Sequence, residues 1–380
     1  MTTPRQNIEA ALTTQGARDI PAVICYESIY VRDHWPMLTD SPWWHAHSPD
    51  LALQLAWRRD VLTRSGYDWF ELPPFPARKE RENLCLDVRA DGVYRVDKRT
   101  GHARRLNEPR VGGWDAGHSV QSIHPTHMPE NEGEVDACIP IAPAFDPVQA
   151  RAEGRDDLAC ELIAVQPQFF PLGYVAAPLW QTYPLWGFEG MMEMIVERPQ
   201  LVRHACERNL AWCLRAVREA AFLGAAGVWI EDCLTDMISP RDFESLNVPG
   251  LRRIVDEIRQ LGMKSIYYFC GSPAGKWDML LSIGADALAL EESKKGFRID
   301  IDEVVEQVGG RCAVLGNLDA IGVLQDGDEG QLRAAIQQQI AAGRRNGSRF
   351  IMSVGSPVTP GTPVERVSLY CDLSHEMGAS

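Results

Sequence analysis

The run Lys264–Cys270 (KSIYYFC) decides how this chain is read. Ile, Tyr and Phe crowd together as they do on a half-buried pleated strand, and the run closes on a cysteine. A second short apolar run, Asp286–Glu291 (DALALE), closes on a glutamate 21 residues later (291 − 270 = 21). Gly275–Ile283 between them has helical character, so the unit is strand–helix–strand with the two strands parallel. In barrel enzymes the carboxyl ends of such strands form the rim that carries the chemistry. Two strands that each end in a metal-ligand type of side chain would converge there.

The alternation extends both ways. Upstream, Phe170–Ala176 reads as a strand, Phe188–Leu223 as helix broken near Pro199, Gly227–Glu231 as a strand and Pro240–Leu261 as a helix. Downstream, Asp300–Val308, Gln331–Ala342 and Pro363–Met377 read as helices, with strands at Cys312–Gly316 and Phe350–Ser353. Ala22–Tyr26 and Asp68–Leu72, the second preceded by a helix over Leu51–Ser65, bring the parallel strands to eight. That predicts an α/β fold, a (β/α)8 TIM barrel. An open doubly wound sheet would carry a Gly-rich phosphate loop after its first strand, and none is present. Leu84–Val88 and Val93–Val96 flank Ala90-Asp91-Gly92 as an inserted hairpin. Gly112–Glu134 follows as a long loop with enough apolar content for an ordered lid. The expected organisation is one domain over residues 1–380 with an insertion at about 84–134.

Composition narrows the function. A net charge of −14 argues against a nucleic-acid partner, which asks for a basic face. No run approaches the ~18 apolar residues of a membrane span, and Met1–Gly16 lacks the apolar segment of a secretory signal. Ten cysteines stand singly, without paired spacing, as reduced thiols do. The expectation is a cytoplasmic protein acting on a small molecule, with no membrane or nucleic-acid role.

Four segments carry a resemblance: Glu231–Pro240 (EDCLTDMISP), Tyr268–Gly271 (YFCG), Gly316–Asp319 (GNLD) and Phe350–Pro363 (FIMSVGSPVTPGTP). With them, Gly224–Gly378 resembles the uroporphyrinogen decarboxylase superfamily, which includes decarboxylases and cobamide methyltransferases and is related to cobalamin-independent methionine synthase. For the methyltransferases the resemblance implies zinc, which binds a thiol and presents it as a thiolate. It puts Cys270 and Glu291 among the ligands, Tyr268 where the family has a histidine and Ser356 where it has a cysteine. Cys233 and Glu231, at another strand end on the same rim, are the candidate substitute ligands. A separate corrinoid protein, a folate or a thiol would then be the methyl partner, and relatives suggest a homodimer. For the decarboxylases the resemblance implies an Arg-rich motif after the first strand, but Glu27–Asp33 (ESIYVRD) supplies only Arg32. The run Glu71–Pro76 (ELPPFP) replaces the expected aspartate loop, so uroporphyrinogen itself is not the expected substrate.

The residues alone add further candidates. Glu231 and Asp232, adjacent at a strand end, could serve as general acid and base, because close carboxylates push one pKa upward. Lys294, in a loop of mixed charge, could hold a carboxylate or phosphate. Asn317 and Asp319 follow a strand and could touch substrate or simply make a turn. Trp180 and Tyr183 could wall a pocket or pack in the core. His118, with His124 and His127, lies in the long loop as a weak candidate for substrate contact. The leading expectation is zinc-assisted methyl transfer, with Cys270, Glu291, Asn317 and Ser356 facing one cavity that Glu71–Pro76 and Gly112–Glu134 close from above. The alternatives are a metal-free decarboxylase or lyase using Glu231, Asp232 and a lysine, and a non-catalytic ligand-binding barrel.

Overall fold

Among the described residues ten strands follow one another as β1 (Trp69–Glu71), β2 (Leu84–Arg89), β3 (Gly92–Asp97), β4 (Ala103–Arg105), β5 (Phe170–Ala176), β6 (Gly227–Asp232), β7 (Lys264–Phe269), β8 (Ala287–Leu290), β9 (Ala313–Leu315) and β10 (Phe350–Ile351). The structure is a computed structural model that describes residues 2–112, 124–293 and 296–379. Seven strands form one curled parallel sheet in the order β1-β5-β6-β7-β8-β9-β10. The inserted hairpin is a separate antiparallel sheet, β2-β3-β4.

The expected first strand, Ala22–Tyr26, is reduced to a single bridge between Ala22 and Met352. Its neighbours are nevertheless those of a strand. Val23 N donates to Met352 O (2.8 Å) on one side, and Asp68 N donates to Ala22 O (2.9 Å) on the other. The extended run ends because Tyr26 turns left-handed (φ 56°, ψ 57°) and starts the helix Glu27–Leu38, which sequence patterning did not predict. The sheet is therefore seven strands plus a bridging segment that hydrogen-bonds beside both edges, in place of the eight full strands expected.

Consecutive residues on a strand face opposite ways, and this sorts the core. Trp69, Trp229 and Tyr268 share the concave face, with Trp229 stacked on Tyr268 (centroids 5.0 Å) and edge-on to Trp69 (5.9 Å). Val228 and Ile230 face the other way, into the helical layer, and are fully buried. Gly173 lets the helix Pro199–Leu223 lie against β5: a Cβ there would meet the Ala220 methyl at 2.6 Å. The loop predicted over Gly112–Glu134 ends early, since Asn131 caps a helix at Glu132–Cys138. Residues 113–123 and 294–295, with His118 and Lys294, lie outside the described residues. No helix among the described residues is long and apolar enough to cross a membrane.

Candidate functional site

A cavity of about 690 Å³ opens at the carboxyl end of β1, where Tyr26, Glu27, Arg58, Glu71 and Glu231 meet. Pro73 and Pro74, in the run that follows β1, help to enclose it as the sequence suggested for Glu71–Pro76. Each polar group arrives on a different element. Glu71 ends β1, Glu231 sits one residue before the end of β6, Glu27 opens a helix and Arg58 comes from the helix Leu51–Ser65.

The left-handed Tyr26 distributes two of them. Its own hydroxyl turns to Glu231 Oε1 (2.9 Å), while the next residue, Glu27, points toward β1. Glu27 accepts from the Tyr67 hydroxyl (2.8 Å) and from the Glu71 backbone N–H (2.6 Å). A non-glycine residue held left-handed costs energy and is often found where a site needs a particular geometry.

Burial dominates the acidity of all three carboxyls. It pushes Glu27 up to about 6, against the stabilising hydrogen bonds from Glu71 N–H and the Tyr67 hydroxyl. Glu71 is pushed up further, to about 8, by burial and then by the nearby negative charge of Glu27. Burial also raises Glu231, although Tyr26 and Cys233 donate hydrogen bonds to it. At neutral pH the Glu27–Glu71 pair thus shares one proton, with the larger upward shift on Glu71. Burial lowers Arg58 to about 10, and its guanidinium lies over the Trp57 ring (3.9 Å). Among the described residues no carboxylate approaches Arg58 within ion-pair distance, 4.0 Å. The cavity therefore presents a neutral acid, an ionised carboxylate and a cation not engaged in an ion pair.

Several sequence-predicted residues stand elsewhere. Glu231 lines the cavity, but Asp232 does not, because adjacent strand residues point oppositely. Asp232 is fully buried on the helical side, accepting from the Tyr267 hydroxyl (2.7 Å) and the Asn247 amide (2.6 Å). The two carboxyls thus do not form an acid–base pair. Tyr268 gives its hydroxyl to Gly355 O (3.0 Å). Asn317 ties Glu291 O (3.1 Å) to Ile299 O (3.0 Å), and Asp319 caps the helical turn at Ala320–Gln325. Trp180 and Tyr183 pack against each other away from the cavity, with the Tyr183 hydroxyl on Leu234 O (3.0 Å). His127 pairs with Glu134 (3.2 Å) at the surface.

Cys270, Glu291, Asn317 and Ser356 all lie beyond strand ends, yet none borders the cavity. The expected zinc ligands do not assemble either. Ser356 Oγ donates to Glu292 Oε2 (2.6 Å), and Tyr268 is committed to the backbone. Cys233 bonds to Cys270 and to Glu231 (3.4 Å to Oε1), and the Cys270 contact, then burial, raises its thiol well above the ordinary range. Zinc requires thiolates, which that environment disfavours. Among the described residues no three His, Cys, Asp or Glu side chains gather closely enough to hold a metal. The described residues do not fit zinc.

Glu27, Glu71 and Arg58 escaped sequence reasoning as site residues. A signal existed for two of them, since Glu27 directly follows the predicted strand Ala22–Tyr26 and Glu71 lies one residue before the end of the predicted strand Asp68–Leu72. Arg58 carried none, being one of three arginines on the helix Leu51–Ser65.

Comparison with known proteins places these features in context. The profile of the family described as uroporphyrinogen decarboxylase (URO-D) matches residues 161–377, more than half of the chain. Chloroplastic uroporphyrinogen decarboxylase 2 of Arabidopsis thaliana is 27% identical over 214 residues, covering 54% of this chain and 52% of that protein. Uroporphyrinogen decarboxylase of Anaeromyxobacter sp. (strain Fw109-5) is 27% identical over 189 residues, covering 50% of this chain and 52% of that protein. The chain thus spans about half the length of the curated relatives it matches. A solved methyltransferase from Methanosarcina mazei covers 100% of both chains with a TM-score of 0.68 at 16% identity, a likeness of fold.

Proposed function

Since the chain belongs to the uroporphyrinogen decarboxylase family, we propose that it is a metal-free carbon–carbon lyase of the decarboxylase type, acting on a small carboxylic acid. One observation carries this reading: Glu71, a carboxyl held protonated at neutral pH, faces a cavity beside an ionised Glu27. A general acid works best with its pKa near the operating pH. In the reaction the substrate's bond to its carboxylate carbon breaks and the electron pair stays on the remaining carbon. CO2 leaves, the Glu71 proton ends on that carbon, and Glu71 regains a proton from water.

Zinc-assisted methyl transfer to a corrinoid protein or folate is the second reading. Its support is the Cys233–Cys270 contact beside Glu231, and it would require those thiols to ionise and recruit further ligands. The ten cysteines form no disulfide with one another, and a reducing, cytoplasmic setting suits either reading.

The test is CO2 release from a panel of small carboxylic acids by chelator-treated protein. Turnover that persists without metal and collapses in Glu71→Gln supports the lyase. Turnover that appears only after zinc is added, or that survives Glu71→Gln, overturns it.

A further inference from the structure

We infer that the cavity takes a flat, apolar monocarboxylate, its carboxylate gripped by Arg58 and its ring lying against the tryptophan wall. The inference rests on the reading of this cavity as the reaction site and names the class of substrate it admits.

Charge sets the number of carboxylates. Two arginines line the cavity, but Arg32 is spent on Asp33 through two bonds, Nε to Oδ1 (2.8 Å) and Nη2 to Oδ2 (3.0 Å). His47 at the wall is disfavoured as a cation, first by burial and then by Arg104 and Arg95. Arg58 remains. Its Nη1 is fixed by Gln54, whose amide nitrogen faces the carbonyls of His45 (3.0 Å), Ala46 (3.0 Å) and Ser48 (2.8 Å), so that its oxygen must face Arg58. Nε and Nη2 of Arg58 have no hydrogen-bond partner among the described residues. That edge of a guanidinium matches the two oxygens of one carboxylate. Stacking on Trp57 holds its plane.

Arg58 already feels the charge of Glu27, so its free edge admits one further carboxylate and no more. A polycarboxylate would bring further charges against the ionised Glu27 with nothing to compensate them, and buried unpaired charge is costly. Away from Arg58 and the three carboxyls, aromatic rings line the wall: Trp35, Trp43, Trp57 and Phe70, with Trp35 and Trp57 packed at 4.9 Å between centroids. Such walls favour a ring, through offset or edge contacts. The cavity's 690 Å³ falls within the range of about 300–1,000 Å³ that houses a single drug-sized ligand.

Binding is read by quenching of tryptophan fluorescence and by calorimetry, with 2-naphthoate, its neutral amide, acetate and benzene-1,3,5-tricarboxylate as probes. Naphthoate should bind saturably and at least about tenfold more tightly than the other three, the scale of a charge-assisted pair. Arg58→Met should weaken naphthoate by roughly 30-fold and erase its advantage over the amide, while Arg58→Lys retains part of it. Trp43→Ala should weaken naphthoate and leave acetate unchanged, which gives a second reading should Arg58→Met fold poorly. Equal binding of the amide, tighter binding of the tricarboxylate, or no binding of naphthoate overturns the inference. Naphthoate binding as expected without CO2 release from any acid would sink the lyase reading alone. Release of CO2 from polycarboxylates alone would sink this inference and spare the lyase.

Discussion

Glu71→Gln should inactivate the protein and make it more stable, and the two effects should separate with pH. In the folded chain Glu71 holds its proton to about pH 8, whereas an exposed glutamate releases it near 4.5. At pH 7 the folded state therefore keeps a proton that the unfolded chain prefers to lose. Each pH unit of that disparity costs about 1.36 kcal/mol, so the interval from 4.5 to 7 gives an upper figure of about 3.4 kcal/mol. Glu71 touches a solvent-accessible cavity and shares its proton with Glu27, and screening reduces this to about 2 kcal/mol. A raised carboxyl pKa makes a contribution that is favourable below pH 4.5 and is lost as pH rises to about 8. Glutamine has nothing to ionise, so the variant should match the parent near pH 4.5 and surpass it at pH 7 and above.

For a chain of 380 residues that gain corresponds to a Tm rise of about 2–3 °C. Turnover should meanwhile fall by 10²–10⁴-fold, roughly the worth of a general acid. The parent's rate should be bell-shaped, rising with ionisation of Glu27 near 6 and falling with ionisation of Glu71 near 8. Calorimetry at pH 5, 7 and 9 together with a pH–rate profile gives both readouts. A variant that loses stability equally at all three pH values, or keeps the parent's alkaline limb, would falsify the assignment of Glu71 as the buried acid.

Three further outcomes follow from the same geometry. Asp232→Ala should cost about 2–4 kcal/mol by stranding the Tyr267 and Asn247 donors, yet leave turnover per folded molecule within about twofold; a pure rate loss would return Asp232 to the chemistry. Cys270→Ala should cost about 1 kcal/mol and leave activity intact, with substoichiometric zinc by elemental analysis in the parent; one zinc per chain, lost with activity in the variant, would restore the metal reading. Burial lowers the pKa of His375, but its hydrogen bond (2.9 Å) and attraction to Asp68 outweigh that and raise it. Stability from the pair is then full below pH 6.5 and lost as pH rises through the higher folded value, so His375→Ala should cost about 1 kcal/mol at pH 5.5 and little at pH 9; a cost independent of pH would refute the ion pair.

The parallel strands were legible because each is a short apolar run bounded by turn chemistry, and β5 was read to the residue. Ala22–Tyr26 misled because its composition is that of a strand, whereas the left-handed turn at Tyr26 comes from tertiary contacts that no local pattern records. The rim was legible, but which part of it forms the cavity was not. Cys270 and Glu291 drew attention as potential ligands, while their surroundings turn the neighbouring polar groups onto one another and onto the backbone. Glu71 could be seen at the end of a strand. Its acidity depends on Glu27 and Arg58, distant in sequence, and on burial, which periodicity does not report for a single carboxyl.

The same dependence explains where along the strand ends of the curled sheet the site opens. β6 and β7 stay in register, with Glu231 opposite Tyr268, and their shared face is filled by Trp229, Tyr268 and Trp69. That aromatic packing occupies the middle of the concave face and moves the open volume toward β1. There the helix Glu27–Leu38 begins one residue after Tyr26, so a single left-handed residue sends Tyr26 to Glu231 and Glu27 to Glu71. Two carboxyls from different strands are thereby coupled through adjacent residues of one segment. Ordering that segment beside both sheet edges, through Asp68 and Met352, fixes Tyr26 on Glu231 and Glu27 on Glu71. The interactions that join the edges of the sheet are thus the ones that hold the proton in place.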